Sequence, residues 1–157
     1  MILLSEVLKI APDGQGIRWL PDGSWVIVDP TASIGERASI GERASIGERA
    51  RIGERACIGK WASIGKRARI GEGASIGEGV SWKVTPCQVM CHPYLVYPHS
   101  LTHIGVGCVI HPIDYWMRTE DPDELAAHPE CQPWDNYRAA IRLVAEWLKA
   151  YEPEEKA

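Results

Sequence analysis

The chain has 157 residues, with 17 Lys and Arg against 21 Asp and Glu and a formal net charge of −4 at pH 7, a size that allows one compact unit with at most an appended cap. No run is long enough to span a membrane, and Met1–Glu6 is too short and too soon charged for a signal peptide. Five Cys, an odd number, argue against an all-disulfide secreted framework, so a cytoplasmic setting is expected, with no membrane and no nucleic acid polymer as partner.

Residues 1–27 read as short strands. Asp13-Gly14 and Pro21-Asp22-Gly23 are turn sequences, and Ile17–Leu20 and Ser24–Val28 flank the second as a hairpin. This segment is expected to cap an open sheet edge, because an uncovered edge invites aggregation.

The central stretch, residues 28–82, is periodic. Ile stands at 34, 40, 46, 52, 58, 64, 70 and 76, Gly follows each, and Ala precedes each by two. A strict period of six fits neither a 3.6-residue helix nor simple strand alternation. It fits a parallel β-helix in which each hexad is a short strand plus a corner. Ile and the Ala before it share one side of the strand, so both point inward. The Gly after Ile is expected to relieve a turn where a Cβ would be strained. Each buried Ile contributes about 1.5–3 kcal/mol against about 1–2 kcal/mol per residue of lost backbone freedom, so a single coil cannot stand alone and stacked coils can.

From Val28-Asp29-Pro30-Thr31-Ala32-Ser33-Ile34-Gly35 through the hexads that follow, the sequence resembles the hexapeptide-repeat superfamily of left-handed parallel β-helices, and its opening looks like the first coil of acyltransferase members. The resemblance implies an all-β solenoid of three to four left-handed coils, three hexads to an 18-residue coil, and a homotrimer.

With 18 residues per coil, one face carries Ser33, Arg51 and Arg69, with Arg37 and Arg55 beside them and Glu36, Glu54 and Glu72 adjoining. A second carries Ser39, Cys57 and Ser75 with Arg43 and Trp61, and a third Ser45, Ser63 and Ser81 with Arg49 and Arg67. Charged columns exclude an ice-binding surface, which needs flat neutral rows. Arg37, Arg51, Arg55 and Arg69 could hold phosphate or carboxylate bidentately where the face meets a neighbouring subunit, or could form an Arg–Glu lattice between subunits. Trp61, in an Arg position, is either interface packing or a stacking platform for a base or sugar.

Residues 83–157 form a third segment, rich in Pro, His, Tyr and Cys in its first half. Leu101–Ile104 and Cys108–His111 read as two strands around Gly105-Val106-Gly107. An amphipathic helix follows Trp134, with Tyr137, Ile141, Val144, Leu148 and Tyr151 on its apolar stripe, Asp135 or Asn136 as its cap and Glu152-Pro153 as its stop. It is expected to dock on a β-helix or a partner. Residues 112–157 hold five Lys and Arg against eleven Asp and Glu, whereas 31–79 hold nine Lys and Arg against six Glu, so the acidic tail could lie against a basic neighbour. With Ile104-Gly105, Cys108, His111 and Trp116, the tail resembles uncharacterised phage- or prophage-encoded proteins with an Ile-Gly-Cys-x-x-His segment after a hexapeptide array. Val106-Gly107 is an insertion relative to that pattern.

Three chemistries are open to these residues. Resemblance to the acyltransferases implies a His as general base beside a groove for CoA or acyl carrier protein. All five His (92, 99, 103, 111, 128) fall outside the coils, leaving His103 or His111 for that role. Cys87, Cys91, Cys108 and His111 supply enough N and S ligands for zinc, although Cys87 and Cys91 could equally be buried apolar residues; for a three-His open zinc site His99 and His103 could supply two ligands, with no third in the coils. Cys108 with His111 as a nucleophile–base pair is disfavoured, since residues three apart on a strand face opposite sides. The leading reading is a trimeric, non-catalytic β-helix binding a small anionic, nucleotide-like ligand in subunit clefts, as a phage-encoded sequestering protein could. A hexapeptide acyltransferase using CoA and a structural trimeric spacer are the alternatives.

Overall fold

The computed structural model describes residues 2–118 and 134–151. His128, Cys131 and the expected helix stop at Glu152-Pro153 lie outside them. The chain divides into two compact units, Met1–Pro86 and Cys87–Ala157.

The first unit is a three-sided parallel β-solenoid. It opens with β1 (Ile2–Leu3) and the single turn α1 (Leu4–Val7), then the antiparallel hairpin β2 (Ile17–Trp19) and β3 (Trp25–Val28). Nine two-residue rungs follow: β4 (Ser33–Ile34), β5 (Ser39–Ile40), β6 (Ser45–Ile46), β7 (Arg51–Ile52), β8 (Cys57–Ile58), β9 (Ser63–Ile64), β10 (Arg69–Ile70), β11 (Ser75–Ile76) and β12 (Ser81–Trp82). The first six each pair in parallel with the rung 18 residues on, Ser33 with Arg51 and Arg51 with Arg69, Ser39 with Cys57 and Cys57 with Ser75, Ser45 with Ser63 and Ser63 with Ser81. The 18-residue coil and its three faces are therefore those that the family resemblance implied.

The shaft is built from the predicted residues. Ile40, Ile46, Ile52, Ile58, Ile64, Ile70 and Ile76, with the Ala two before each, are buried. Leu4 and Val7 close one end, and Trp82, in register with Ile64, occupies an Ile position at the other and is fully buried. The N-terminal segment caps two faces: β1 lies antiparallel on β5 and β2 antiparallel on β3. Among the described residues the third face, starting at β4, has no such strand, and Ile34 there is only half-buried.

The hexad glycine is needed for a different reason from the one expected. Gly35, Gly41, Gly47, Gly53, Gly59 and Gly65 have no positive φ, but a Cβ on Gly53 would stand 2.5 Å from the Glu72 amide nitrogen, and one on Gly35 2.4 Å from that of Glu54. The glycine lets successive coils approach. The left-handed backbone falls two residues later, at Arg37, Arg43, Arg49, Arg55, Trp61 and Arg67, with φ between 56° and 61°, and at Gly73 and Gly79 in the last coil. That conformation costs a non-glycine residue about 1–2 kcal/mol. It also turns the amide along the stack: Arg55 N donates to Glu36 O (2.8 Å), Trp61 N to Glu42 O (3.0 Å) and Arg67 N to Glu48 O (2.8 Å). Such a bond returns about 0.5–1.5 kcal/mol.

The second unit is an antiparallel sheet, β13 (Val89–Cys91), β14 (Tyr94–Pro98), β15 (His103–Val106) and β16 (Val109–Pro112), in that spatial order, followed by α2 (Ile113–Arg118) and α3 (Trp134–Ala150). The last two strands overlap those predicted, but β15 starts two residues later and runs through Gly105 and Val106, which the sequence reading placed in the turn; the first two were not predicted. Gly105 sits opposite Tyr97, whose ring crosses it so closely that a Cβ would lie 2.3 Å from Cζ, and the Tyr97 hydroxyl donates to Gly107 O at 2.9 Å. The α3 helix buries Tyr137, Ala140, Ile141, Val144, Ala145 and Leu148 against β13, β14, β15 and α2. It therefore docks on the sheet of its own unit, where the β-helix or a partner was expected. Asp135 and Asn136 lie within its first turn instead of preceding it.

Candidate functional site

The arginines predicted to act together fall into two columns. Arg51 and Arg69 are cross-strand neighbours in β7 and β10, both exposed. Arg37 and Arg55 lie on the corner that follows this face, each in the left-handed conformation, and Arg55 Nε stands 3.8 Å from its own neighbour Glu54. Trp61 is on the next corner, between the second and third faces, and so lies across the prism from Arg51 and Arg69. Its exposed ring carries the Arg43 guanidinium at 4.6 Å from the centroid, a cation–π contact between adjacent coils. Within one chain, Trp61 does not share a surface with the arginine face.

The structure adds two residues that sequence reasoning left out. Arg49 and Arg67 are on the corner leading into the face and are exposed, while Ala50 and Ala68 behind them are buried. Arg49-Ala50-Arg51 and Arg67-Ala68-Arg69 are the same tripeptide 18 residues apart, so the register that stacks Arg51 on Arg69 also places Arg49 over Arg67. The result is a two-by-two set of exposed arginines, one from a corner and one from a rung in each of two coils, whose backbones stack about 4.8 Å apart. The signal was present in the sequence as the repeated tripeptide, concealed because each Arg was assigned to a different face. Beside the array, Glu48 accepts Lys66 at 3.1 Å and approaches Arg49 Nε at 3.8 Å. Thr85 Oγ1 accepts the Arg69 amide at 3.0 Å, and Thr31 Oγ1 that of Arg49 at 2.9 Å, fixing the backbone at both ends of the array. Asp29 orders Thr31 in turn: its carboxylate accepts the Thr31 hydroxyl at 2.6 Å and amide at 2.8 Å, which holds the Asp29 pKa below the usual carboxylate value.

A separate open cleft of about 320 Å³ lies at the N-terminal end, between Pro21-Asp22 and Ile2, Glu42 and Lys60. Its one ammonium group, Lys60, is 3.4 Å from Glu42, so it adds nothing to the cationic face.

The Cys and His residues of the second unit do not converge. Ile104 is the cross-strand partner of His111, and Pro112 that of His103, and because opposed residues share a face, His103 and His111 point to opposite sides of the sheet. His103 Nδ1 is 2.8 Å from Thr102 Oγ1. His111 stacks on Tyr115 with ring centroids 3.8 Å apart and meets Trp116 edge-on. Cys108 is exposed at the tip of the β15–β16 hairpin, Cys87 half-buried and Cys91 buried. Burial pushes the thiols of Cys87 and Cys91 up in pKa, which works against the thiolate that zinc requires. Among the described residues no three His, Cys, Asp or Glu side chains gather as a metal-binding group, so the set Cys87, Cys91, Cys108 and His111 is not assembled in this fold.

The coil geometry defines a parallel β-solenoid protein with an outward arginine array. Residues 49–81 match the family described as bacterial transferase hexapeptide (six repeats), and with the 18-residue register this makes the solenoid a member of the hexapeptide-repeat β-helix superfamily. No curated protein and no solved structure shows significant similarity to the chain. Among the described residues no helix is long and apolar enough to cross a membrane.

Proposed function

We propose that the protein is a homotrimer that binds a small anionic, nucleotide-like ligand without transforming it, in a cleft where the arginine face of one protomer meets its neighbour. The observation that carries this reading is the array of Arg49, Arg51, Arg67 and Arg69. Four exposed arginines in stacked register offer the charge for a di- or triphosphate, whose oxygens guanidinium groups bind bidentately. The trimer is needed because Trp61 with Arg43 lies on the far corner of the prism, so only another protomer could bring that ring to stack on a base. Arg37 and Arg55 would then line the opposite rim. Sequestration of a signalling nucleotide by a phage-encoded protein is one setting for such a site.

Calorimetric titration with inorganic pyrophosphate and with adenosine triphosphate tests the reading. The wild type is expected to bind both, more weakly as salt rises, and Arg51→Ala/Arg69→Ala to lose at least about tenfold in affinity, since each charge-assisted bond is worth about 1.5–3 kcal/mol. No heat with either anion, or affinity unchanged in the double variant, contradicts it.

A second reading, acyl transfer from CoA, is favoured by the description of the matched family as a transferase and by the fixed His103 ring, whose Nδ1 is engaged by Thr102. It predicts release of CoA from acetyl-CoA in the presence of an acceptor, abolished by His103→Ala. A structural spacer predicts a stable trimer with neither property.

A further inference from the structure

The corner that carries Trp61 is stacked in register. Arg43, Trp61 and Gly79 each stand two residues before a rung of one face, at Ser45, Ser63 and Ser81, and these rungs pair one on the next. The backbone repeats with them: Trp61 N donates to Glu42 O at 3.0 Å and Gly79 N to Lys60 O at 2.8 Å. From the coil before, the Arg43 guanidinium lies on the Trp61 ring. The coil after brings no side chain, and a Cβ added at Gly79 would meet nothing within 4 Å. The turn does not demand that glycine, since Arg43 at φ 59° and Trp61 at φ 61° hold the same left-handed conformation in the two coils before. What the glycine supplies is room beside a ring that is 52% exposed.

We propose that the space over Gly79, against the face of Trp61 opposite Arg43, receives the base of the nucleotide, and that this base is guanine. The assignment rests on the anion reading and names the base that accompanies the phosphates. A coil spacing of about 4.8 Å leaves the thickness of one aromatic ring. Arg43 decides what kind of ring enters. A π-system that already holds a cation on one face attracts a second cation poorly on the other, and an electron-rich neutral ring well. Glu78 decides which base. It is exposed beside Gly79, and no hydrogen bond or ion pair from the described residues engages its carboxylate, whereas Lys60 and Glu42, its counterparts one and two coils back, are paired at 3.4 Å. An ionised carboxylate only accepts. Guanine offers it two adjacent N–H donors, one for each oxygen, whereas adenine offers one amino group next to a ring nitrogen that repels it. The phosphates remain on the arginine array of the neighbouring protomer.

Calorimetric titration with inorganic triphosphate, adenosine triphosphate and guanosine triphosphate tests this on the wild type, Gly79→Arg, Gly73→Arg and Glu78→Gln, with circular dichroism confirming that each variant is folded. Gly79→Arg completes the Ile-Gly-Glu-Arg hexad and fills the slot with a side chain that the same corner accepts in an earlier coil. Gly73→Arg adds the same charge on a corner that does not meet Trp61. The wild type is expected to bind guanosine triphosphate about tenfold more tightly than adenosine triphosphate. Gly79→Arg and Glu78→Gln should bring that ratio close to one, and Gly73→Arg should leave it in place. If the wild type binds inorganic triphosphate but shows no preference for guanosine triphosphate, or if the preference survives Gly79→Arg, or if Gly73→Arg removes it equally, the base slot is overturned and the anion reading stands. Binding of none of the three anions overturns both.

Discussion

Two residues of each hexad carry the backbone problem, and they divide it. The Gly after Ile gives up its side chain to the coil above, while the residue two positions on accepts a left-handed φ to aim its amide along the stack. The two kinds of glycine therefore differ in what a methyl group costs. Gly53→Ala drives a Cβ into the Glu72 backbone, and we expect a loss of more than about 2 kcal/mol as coils are forced apart. Gly73→Ala, with φ +71° and open space around it, meets only backbone strain and should lose about 1 kcal/mol. Urea denaturation of the two variants measures the difference. Equal midpoints would show that coil contact does not set the glycine requirement. The same logic explains Gly105, which is glycine because the Tyr97 ring lies across it.

The rung is the unit of packing, and its cost depends on its place in the stack. Ile58 is fully buried in the middle of its face, and Ile58→Ala is expected to cost about 2–5 kcal/mol. Ile34 begins the one face without an N-terminal covering strand and is half-buried. Ile34→Ala should cost less than half as much, measurable in the same denaturation series. Equal losses would mean that the open edge is covered. The rungs, the β2–β3 hairpin, the β15–β16 pair and the α3 stripe were legible because each shows its period or turn residues locally. The strands at Val89–Cys91 and Tyr94–Pro98 were not, since neither alternates and both lie among Pro, Cys and Tyr. Nor was the arginine array complete: Arg49 and Arg67 join it through a corner, and a face-by-face reading of the repeat separates them from Arg51 and Arg69. The helix was read correctly as amphipathic, but no sequence pattern says which apolar surface it will cover.

At the scale of the whole molecule, a net charge of −4 conceals a local concentration of like charge on one face of the solenoid. The Arg51–Arg69 stack is tolerable in water, where unit charges at such spacing repel by about 1 kcal/mol or less, and the repulsion weakens with salt. An anion seated across the array would remove it, so pyrophosphate should raise the thermal midpoint of the wild type, and more at low salt than at high. The raised midpoint should vanish in Arg51→Ala/Arg69→Ala, and a shift of equal size in that variant would place the anion elsewhere. Position, and not total charge, is what the stacking supplies. The most direct measurement is therefore pyrophosphate affinity in Arg69→Ser/Ser81→Arg, which moves one guanidinium from the array to the exposed start of β12 on another face and leaves the net charge unchanged. The stacked array predicts a fall of about tenfold or more. Affinity equal to that of the wild type would show that the arginines bind anions by bulk charge alone and that their alignment between coils has no functional meaning.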